Sequence, residues 1–547
     1  MTAEPGAIPC VAVVPVFVNA GAAILPAVVA WLATVVAPLL RPREFIRLCR
    51  TRPLVPVAVL ACIAALYFGG SWLLGPAAAR SERKAAPSGR TDWAQVAIAI
   101  LQDEERAKAL GSMKPPAPAP HPAPSPVGAA QPAIYRGDAS RCGFGGGRAP
   151  LALAPLWEFT RENAMCLSSP VVVGDALYAA TCVLDPFTNY GAVFCLDAAS
   201  GRPRWVAETF KDSRTGKERE FNGFFSSPAV SADGRCVVIG QGLHADANCA
   251  LVCLDAAAGR VLWTVDTPLH VESSPAIEGD VVVAGAGAIE VGADYKVQGN
   301  PGFVFAVRLS DGRKLWEYPV NDPESSPAIR DGVAYIGSGL NGSALVALRI
   351  AADEELKGKN LDRLVWKVPT PFPATGTVTL ADDLVLVGCG NGDYVFTAKD
   401  PKGAVLAFDR ATGVLRWQVE VSDAVLGPIA VRGGTAVCAV RSGEVIAIDM
   451  KASGGPCILW RRRAGGKVPV LAGPAFTGRL VYAVSQDGYL AVLDAADGTV
   501  LERHSINAKG KPGEMGLSLS SPFVADGRLY VGSETGGLRC FIGKEAR

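Results

Sequence analysis

The 547-residue sequence predicts an all-β protein, an eight-bladed β-propeller, preceded by an N-terminal α-helical transmembrane anchor. Three observations predict this fold class. A motif recurs eight times after residue 133, two long uncharged runs occupy the first 83 residues, and a proline-rich stretch separates the two regions. Repeats of about 40–50 residues that contain only strands and turns are typical of propeller blades.

The composition excludes several classes of protein. Lys and Arg number 53 against 52 Asp and Glu, so the net charge of +1 gives no electrostatic basis for binding nucleic acid. Charged residues make up 19% of a chain that is 49% hydrophobic, which excludes wholesale disorder. The four histidines exclude a His-rich metal site, and the 14 scattered cysteines favour buried free thiols over a disulfide framework.

Residues 1–83 are predicted to form a membrane anchor with two transmembrane helices. No charged residue occurs in 5–40 or in 53–79, and about 20 apolar residues suffice to cross a bilayer. We expect the spans at 22–40 and 54–75. The loop between them, residues 41–52, carries five arginines and one glutamate, which places it in the cytoplasm. The protein is therefore expected to be a multi-pass cell-membrane protein whose propeller lies on the extracytoplasmic, periplasmic side.

Residues 84–132 are predicted to be a juxtamembrane helix followed by a Pro/Ala-rich linker. The helix, at 91–111, could pack on the membrane surface, self-associate or form a solvated stalk. The linker, at 115–132, should adopt an extended polyproline conformation because its prolines cannot donate backbone hydrogen bonds. It would hold the next domain roughly 50 Å from the membrane.

Residues 133–547 are predicted to form the eight blades. Each unit opens with SSPxV or a weaker version of it, continues through a strand, and closes with LDAxxG and a tryptophan. The proline of the opening slot, or the glycine that replaces it, recurs at Pro170, Pro228, Pro275, Pro327, Gly376, Pro428, Pro474 and Pro522. The aspartate should cap a hairpin turn, and the glycine should adopt a backbone conformation that other residues avoid.

The repeat tryptophans are interpreted as structural residues on outer strands that dock against the neighbouring blade. They are Trp157, Trp205, Trp263, Trp316, Trp366, Trp417 and Trp460. The last unit stops without its tryptophan strand, whereas PLWEFT precedes the first SSP. We therefore predict that the strand around Trp157 pairs with residues 538–541 and closes the ring without a free sheet edge.

The unit SSPxV…LDAxTGxxxW resembles the pyrroloquinoline quinone (PQQ) repeat. That family includes the quinoprotein alcohol dehydrogenases and the BamB-type lipoproteins of outer-membrane protein assembly. The stretch YRGDASRCGFGGG, from Tyr135, also resembles the lead-in of bacterial PQQ-like repeat proteins. The resemblance covers residues 133–547 and implies a PQQ-like propeller, a fold that serves both enzymes and scaffolds.

Two functions follow from this resemblance. The first is a membrane-anchored, non-catalytic scaffold, BamB-like, that binds envelope proteins or a ligand outside the cytoplasm. The alternative is a PQQ-dependent membrane-bound quinoprotein dehydrogenase acting on an alcohol or a sugar. The family's enzymes hold calcium with acidic and amide side chains, but the short blades here leave few loops to cover a cofactor. We therefore expect no catalytic residue, metal or cofactor, with PQQ and calcium as the alternative.

The slot before each SSP should lie at the mouth of the central channel. Only two adjacent units place carboxylates there, Glu272 and Glu324, beside His270 and Asp322. These acids could hold a cation, or one of them could have a raised pKa. The alternative is that both are hydrated or bond their own Ser-Ser turns.

A charged insertion at residues 208–225 is the candidate partner-contact loop. It ends in Phe224 and Phe225, an apolar pair that could anchor a partner. The alternative is that the two rings are buried in the rim of the propeller.

Overall fold

The computed structural model describes residues 132–545, except for 144–147, 186–187, 212–215, 243–245, 247–248, 288–289, 292–296, 300–301, 341, 393–397, 465–468 and 510–517. These residues lie in the second of the two units into which the chain divides, Pro120–Arg547. The predicted anchor and juxtamembrane helix fall outside the described residues. In the described part, no helix is long and apolar enough to cross a membrane.

The described chain forms eight antiparallel blade sheets, which confirms the predicted propeller: seven have four strands, and the sheet of blade 2 has a fifth strand, β1. It opens with β1 (Ala133–Ile134) and β2 (Pro150–Phe159). Blade 1 comprises β3 (Val171–Val173), β4 (Ala176–Asp185), β5 (Thr188–Asp197) and β6 (Pro203–Ala207), and the hairpin β7 (Thr209–Lys211) and β8 (Glu218–Glu220) follows it. Blade 2 comprises β9 (Ala229–Val230), β10 (Cys236–Gly240), β11 (Cys249–Asp255) and β12 (Val261–Thr267).

Blade 3 comprises β13 (Ala276–Glu278), β14 (Val281–Gly287), the inserted hairpin β15 (Glu290–Val291) and β16 (Val297–Gly299), and then β17 (Gly302–Arg308) and β18 (Lys314–Pro319). Blade 4 comprises β19 (Ala328–Arg330), β20 (Val333–Ser338), β21 (Ala344–Arg349), the helix α1 (Asp353–Gly358) and β22 (Leu364–Pro369). Blade 5 comprises β23 (Thr379–Ala381), β24 (Leu384–Gly390), β25 (Gly403–Asp409) and β26 (Leu415–Val421).

Blade 6 comprises β27 (Ala430–Arg432), β28 (Thr435–Ala439), β29 (Glu444–Asp449) and β30 (Cys457–Arg463). Blade 7 comprises β31 (Ala475–Thr477), β32 (Leu480–Ser485), β33 (Tyr489–Asp494) and β34 (Val500–Ser505). Blade 8 comprises β35 (Phe523–Ala525), β36 (Arg528–Gly532) and β37 (Leu538–Glu545), with β2 as its fourth strand.

The position of a strand within its blade explains its sequence pattern. The short first strands of neighbouring blades contact each other and line the central axis. The middle strands are covered on both faces by adjacent blades, so β25 is an unbroken buried run, GAVLAFD. The outermost strands alternate, as in VLERHS of β34, because one face is in solvent. The eleven described cysteines are all free, as the sequence predicts, and eight of them are buried.

The repeat tryptophans join each blade to the next. Six of them donate from Nε1 to a backbone carbonyl that follows the third strand of the neighbouring blade: Trp157 to Ala198 (3.1 Å), Trp205 to Ala256 (2.9 Å), Trp263 to Leu309 (2.8 Å), Trp316 to Ile350 (2.9 Å), Trp366 to Arg410 (3.1 Å) and Trp460 to Ala495 (2.8 Å). Each indole thus covers the turn of the next blade and satisfies one of its carbonyl groups.

The glycine of the LDAxxG turn is needed for two reasons: the turn needs a positive φ, and the tryptophan ring leaves no room for a side chain. At Gly312 the backbone has φ +73°, and a Cβ there would lie 2.7 Å from Cδ2 of Trp263. Trp417 is half-buried and packs into the core between blades 5 and 6.

Blade 7 uses a carboxylate in place of the tryptophan. Glu502 accepts hydrogen bonds from the amides of Ala152 and of Leu153 (2.9 Å) and pairs with His504 Nε2 at 2.7 Å. Burial opposes the ionisation of Glu502, but the hydrogen bonds from His504 and the two amides outweigh it. They hold the pKa of this carboxyl below its ordinary value.

The ring closes as the sequence predicts. β2 pairs with β37, with Trp157 opposite Cys540 and Phe159 opposite Leu538. The N-terminal strand β2 therefore completes blade 8, the last blade.

The Ser-Ser pairs form a belt of hydrogen bonds between blades. At five junctions, the backbone amide at the second position of the Ser-Ser pair donates a hydrogen bond to the hydroxyl of the second serine in the next blade. In one of the five, the donor position holds Gly473 instead of serine. The bonds are Ser169 to Ser227 (2.9 Å), Ser227 to Ser274 (3.0 Å), Ser274 to Ser326 (2.9 Å), Gly473 to Ser521 (3.0 Å) and Ser521 to Ser169 (2.8 Å). The hydroxyl is thus needed by the neighbouring blade, which accounts for the recurrence of the motif.

Candidate functional site

The lead-in segment, residues 133–143, crosses the inner strands of the propeller. Ile134 pairs with Ala229 of blade 2. Further along, its carbonyl groups accept from the first strands of four successive blades: Ala139 from Ile329 (3.1 Å), Ser140 from Leu380 (2.8 Å), Cys142 from Val431 (2.8 Å) and Gly143 from Phe476 (3.0 Å). The segment therefore fills space in the central channel that a bound ligand would need.

Two buried arginines fix the lead-in to the blades. Arg141 donates to the carbonyls of Pro327 (2.6 Å), Ser274 (2.7 Å) and Pro275 (2.9 Å). Arg136 donates to carbonyls of blade 7. Burial lowers the pKa of both guanidinium groups, that of Arg141 to about 9. Sequence reasoning missed this role, although the two arginines in YRGDASR were the available signal.

The predicted channel-mouth acids do come together with a histidine. His270 Nε2 lies 3.3 Å from Glu324 Oε1 and 4.0 Å from Glu272 Oε1. One ligand atom from each of the three residues lies within 4.8 Å of the others. The imidazole is only 1% exposed, and the two carboxylates are largely buried. We call these three residues the His-Glu-Glu cluster.

The backbone around the cluster is held on several sides. The His270 carbonyl accepts from the Gly287 amide at 3.2 Å, and the next amide, of Val271, donates to Gln241 at 3.1 Å. The two glutamates directly precede Ser-Ser turns that are bonded to each other, Ser273 Oγ donating to the Ser325 carbonyl at 2.9 Å. The cluster therefore joins blades 3 and 4 at a fixed separation.

Asp322 does not join this cluster. Its backbone has φ +46°, its side chain is fully buried, and its Oδ2 accepts from the Leu340 amide at 2.7 Å. The carboxylate shapes the turn between β20 and β21. Sequence reasoning placed it beside the acids because it precedes Glu324 by two residues, but the intervening Pro323 packs against Gly285 and Gly302.

The phenylalanine pair of the insertion is part of the propeller. The ring of Phe224 is fully buried, and it meets Phe221 edge-on at 5.6 Å. Phe221 in turn stacks on Phe210 of the hairpin β7–β8 at 5.0 Å. Phe225 is half-buried and packs beside Leu167. The hypothesis that this pair anchors a partner is therefore wrong for Phe224, because its ring already fills the core.

The hairpin β7–β8 of the insertion presents a charged surface to solvent. The rings anchor the hairpin β7–β8 to blades 1 and 2, while Lys211, Glu218 and Glu220 remain exposed. This surface carries both signs of charge close together.

The His-Glu-Glu cluster does not suit the calcium that accompanies PQQ. Calcium takes six to eight oxygen ligands, whereas this set supplies two carboxylates and an imidazole nitrogen. It is the only group of three potential metal ligands that the described residues bring together. An imidazole with carboxylates is instead a donor set for a first-row transition metal.

Comparison with known proteins agrees with the propeller. A sequence model of the family described as "Outer membrane protein assembly factor BamB" matches residues 154–388 and 358–546. The chain is 24% identical to BamB of Yersinia pestis over 360 residues, which are 64% of this chain and 80% of that protein. It is 31% identical to the serine/threonine-protein kinase AfsK of Streptomyces coelicolor over 185 residues, 33% of this chain but only 17% of the kinase.

Solved structures share the fold. BamB from Moraxella catarrhalis aligns with a TM-score of 0.51 at 16% identity, covering 73% of this chain and 99% of that one. The quinohemoprotein alcohol dehydrogenase of Comamonas testosteroni aligns with a TM-score of 0.52 at 15% identity, covering 76% and 81%. The BamB structure and the dehydrogenase structure are therefore about equally similar to this chain in fold.

Proposed function

The chain belongs to the BamB family of PQQ-repeat propellers, and we propose that it is a membrane-anchored, non-catalytic scaffold that binds proteins of the cell envelope outside the cytoplasm. The observation that carries this proposal is the family match, which runs through all eight blades. The relatives are named for outer membrane protein assembly, so the partner proposed here is a protein of envelope assembly.

The filled channel supports a scaffold over an enzyme. Backbone of the lead-in bonds to the inner strands of blades 2, 4, 5, 6 and 7, and the Arg141 side chain bonds to carbonyls of blades 3 and 4. A planar polycarboxylate cofactor at this level would have to displace these bonds. PQQ would supply two-electron oxidation chemistry if it bound, but the described residues do not offer it a calcium cage.

The tether is proposed from the sequence alone. Two uncharged runs within residues 1–83 provide the spans, and the loop of arginines between them sets the topology. The proline-rich linker then gives the propeller a reach of roughly 50 Å from the membrane surface.

The hairpin β7–β8 is the proposed contact surface. Its exposed charges can orient a partner, and its ring anchors keep it rigid, which lowers the entropy lost on binding. We would place a photo-crosslinking amino acid at Glu218 in the full-length protein in living cells. The matched control is Val414, which is also exposed and lies on blade 5. Adducts with an envelope-assembly protein from position 218 but not 414 are expected, and identical adducts from both positions would contradict this surface.

The enzyme alternative is tested on the same full-length protein in detergent. PQQ and calcium are added, and the melting temperature and substrate-dependent dye reduction with alcohols and sugars are recorded. No melting shift and no turnover are expected. Saturation at one hundred times the dissociation constant would stabilise the protein by about 2.7 kcal/mol, so a shift of that size with turnover would overturn the scaffold proposal.

A further inference from the structure

The distances within the His-Glu-Glu cluster match those between ligands of one metal ion. Zinc binds imidazole nitrogen and carboxylate oxygen at about 2.0–2.2 Å, so two ligand atoms in a tetrahedral site are roughly 3.4 Å apart. His270 Nε2 and Glu324 Oε1 are 3.3 Å apart, and Glu272 Oε1 is 4.0 Å from the same nitrogen. All three ligand atoms lie within 4.8 Å of one another, so rotation of the Glu272 side chain is the adjustment that brings the set to the spacing of one ion.

The charges of the three groups also suit a divalent cation. The two carboxylates carry two negative charges when ionised, and the imidazole can contribute at most one positive charge. A divalent cation matches the charge of two carboxylates, and imidazole binds such metals through a ring nitrogen. The negative charge of Glu272 also reaches Cys182, whose thiol pKa is raised by burial, by Cys166 and by this glutamate.

The cluster is built on rigid backbone. His270 is bridged to Gly287, and a side chain at Gly240 would collide with Val271, so the segment that carries the histidine is packed on both sides. Preformed ligands of this kind reduce the ordering cost of binding. Among proteins, three side-chain ligands with one open position are typical of catalytic zinc sites, whereas structural sites use four.

We propose that His270, Glu272 and Glu324 bind a divalent transition-metal ion of the zinc class, with a fourth position left for water. The site joins blades 3 and 4 next to the Ser-Ser turns, and it is independent of the partner surface on the hairpin β7–β8. The proposal goes beyond the scaffold function and does not depend on it.

Cobalt is the probe for this site, because it substitutes for zinc and absorbs visible light in a four-coordinate site. The full-length protein in detergent is stripped with a chelator and titrated with Co²⁺, and bound metal is counted by mass spectrometry. One ion per chain with d–d absorption is expected, and zinc should displace it. Failure to reach one ion per chain, or a spectrum of six-coordinate cobalt only, overturns the proposal.

Three variants test the ligands: His270→Gln, Glu272→Gln and Glu324→Gln. Each should weaken cobalt binding by more than about 100-fold, since loss of a second-shell partner alone costs 10–100-fold. The two glutamine variants of the acids are nearly isosteric, so they decide the question if His270→Gln does not fold. Unchanged affinity in both acid variants overturns the proposal.

The matched control is His504→Gln. His504 also pairs with a glutamate, at 2.7 Å, but it belongs to no group of three potential ligands among the described residues. This variant should bind cobalt as the unaltered protein does. Equal loss in the control and the ligand variants would mean that binding is not at the cluster.

Discussion

The contact between each repeat tryptophan and the turn glycine of the next blade can be tested by replacing that glycine with alanine, which adds one methyl group. Gly312→Ala in blade 3 places a Cβ 2.7 Å from the Trp263 ring, at a backbone φ of +73°. Gly279→Ala in the same blade also adds a Cβ at a positive φ, +60°, but nothing lies within 4 Å of it. The pair separates the cost of the backbone conformation from the cost of displacing the indole.

The expected magnitudes differ by several kcal/mol. A left-handed conformation costs an alanine about 1–2 kcal/mol, and this should be the whole effect of Gly279→Ala. In Gly312→Ala the indole must also move off the turn and lose its hydrogen bond to Leu309. Since Trp→Ala changes in cores cost about 3–5 kcal/mol, and Trp263 is only half-buried, we add about 3 kcal/mol for that loss. Gly312→Ala should therefore cost about 4–5 kcal/mol.

The measurement is the urea midpoint of unfolding, followed by circular dichroism so that loss of a tryptophan does not alter the probe. Trp263→Ala completes a double-mutant cycle, because in its background Gly312→Ala should cost only as much as Gly279→Ala. Equal costs for the two glycine variants, or a cost at Gly312 that persists without Trp263, would refute the docking argument.

Three further perturbations have definite expected outcomes. Glu502→Gln should remove an acid-sensitive part of the stability. Because the pKa of Glu502 is lowered, its contribution is complete above the unfolded value of about pH 4.3 and is lost as the pH falls through the lower native value. The difference between the urea midpoints of the two proteins should therefore be constant at neutral pH and shrink as the pH falls below about 4.3, and a difference that does not change with pH would contradict this. Ser274→Ala leaves the buried amide of Ser227 without its acceptor and should cost about 1–3 kcal/mol in urea unfolding, whereas a cost below about 0.5 kcal/mol would mean that the belt is not stabilising. Arg141→Met removes four hydrogen bonds from a charged group, three of them to blades 3 and 4, and should destabilise the protein by about 3 kcal/mol or more. The measurement is the melting temperature, which should fall, and an unchanged melting temperature would contradict the packing of the lead-in.

The regular part of the fold could be predicted because each blade repeats the same local chemistry. The eight opening slots, seven with proline and one with Gly376, predicted the number of blades, and PLWEFT predicted the strand that completes the last blade. The lead-in could not be predicted in this way. It occurs once, has no periodicity, and makes its bonds to residues as distant in sequence as Phe476, for which no local pattern exists.

The sequence predicted where the candidate site lies, but not which of the four named residues form it. Equivalent slots in adjacent blades bring Glu272 and Glu324 together, and His270 follows because it lies two residues before one of them. Asp322 has the same spacing from Glu324 but caps a turn instead, since its backbone adopts a positive φ. The burial of Phe224 depends on Phe221, which meets its ring, and on Phe210 of the hairpin, which stacks on Phe221, and the sequence alone does not show these contacts.

Closure by β2 has a consequence for the order of events during synthesis. Glu158 of β2 and Arg539 of β37 are paired across 381 positions of sequence. At 5–20 residues per second, the ribosome needs roughly 20–75 s to supply the partner strand after β2 has emerged. Throughout that interval the strand PLALAPLWEF lacks its partner strand, so its unpaired backbone groups are open to pairing with other chains until β37 has been made.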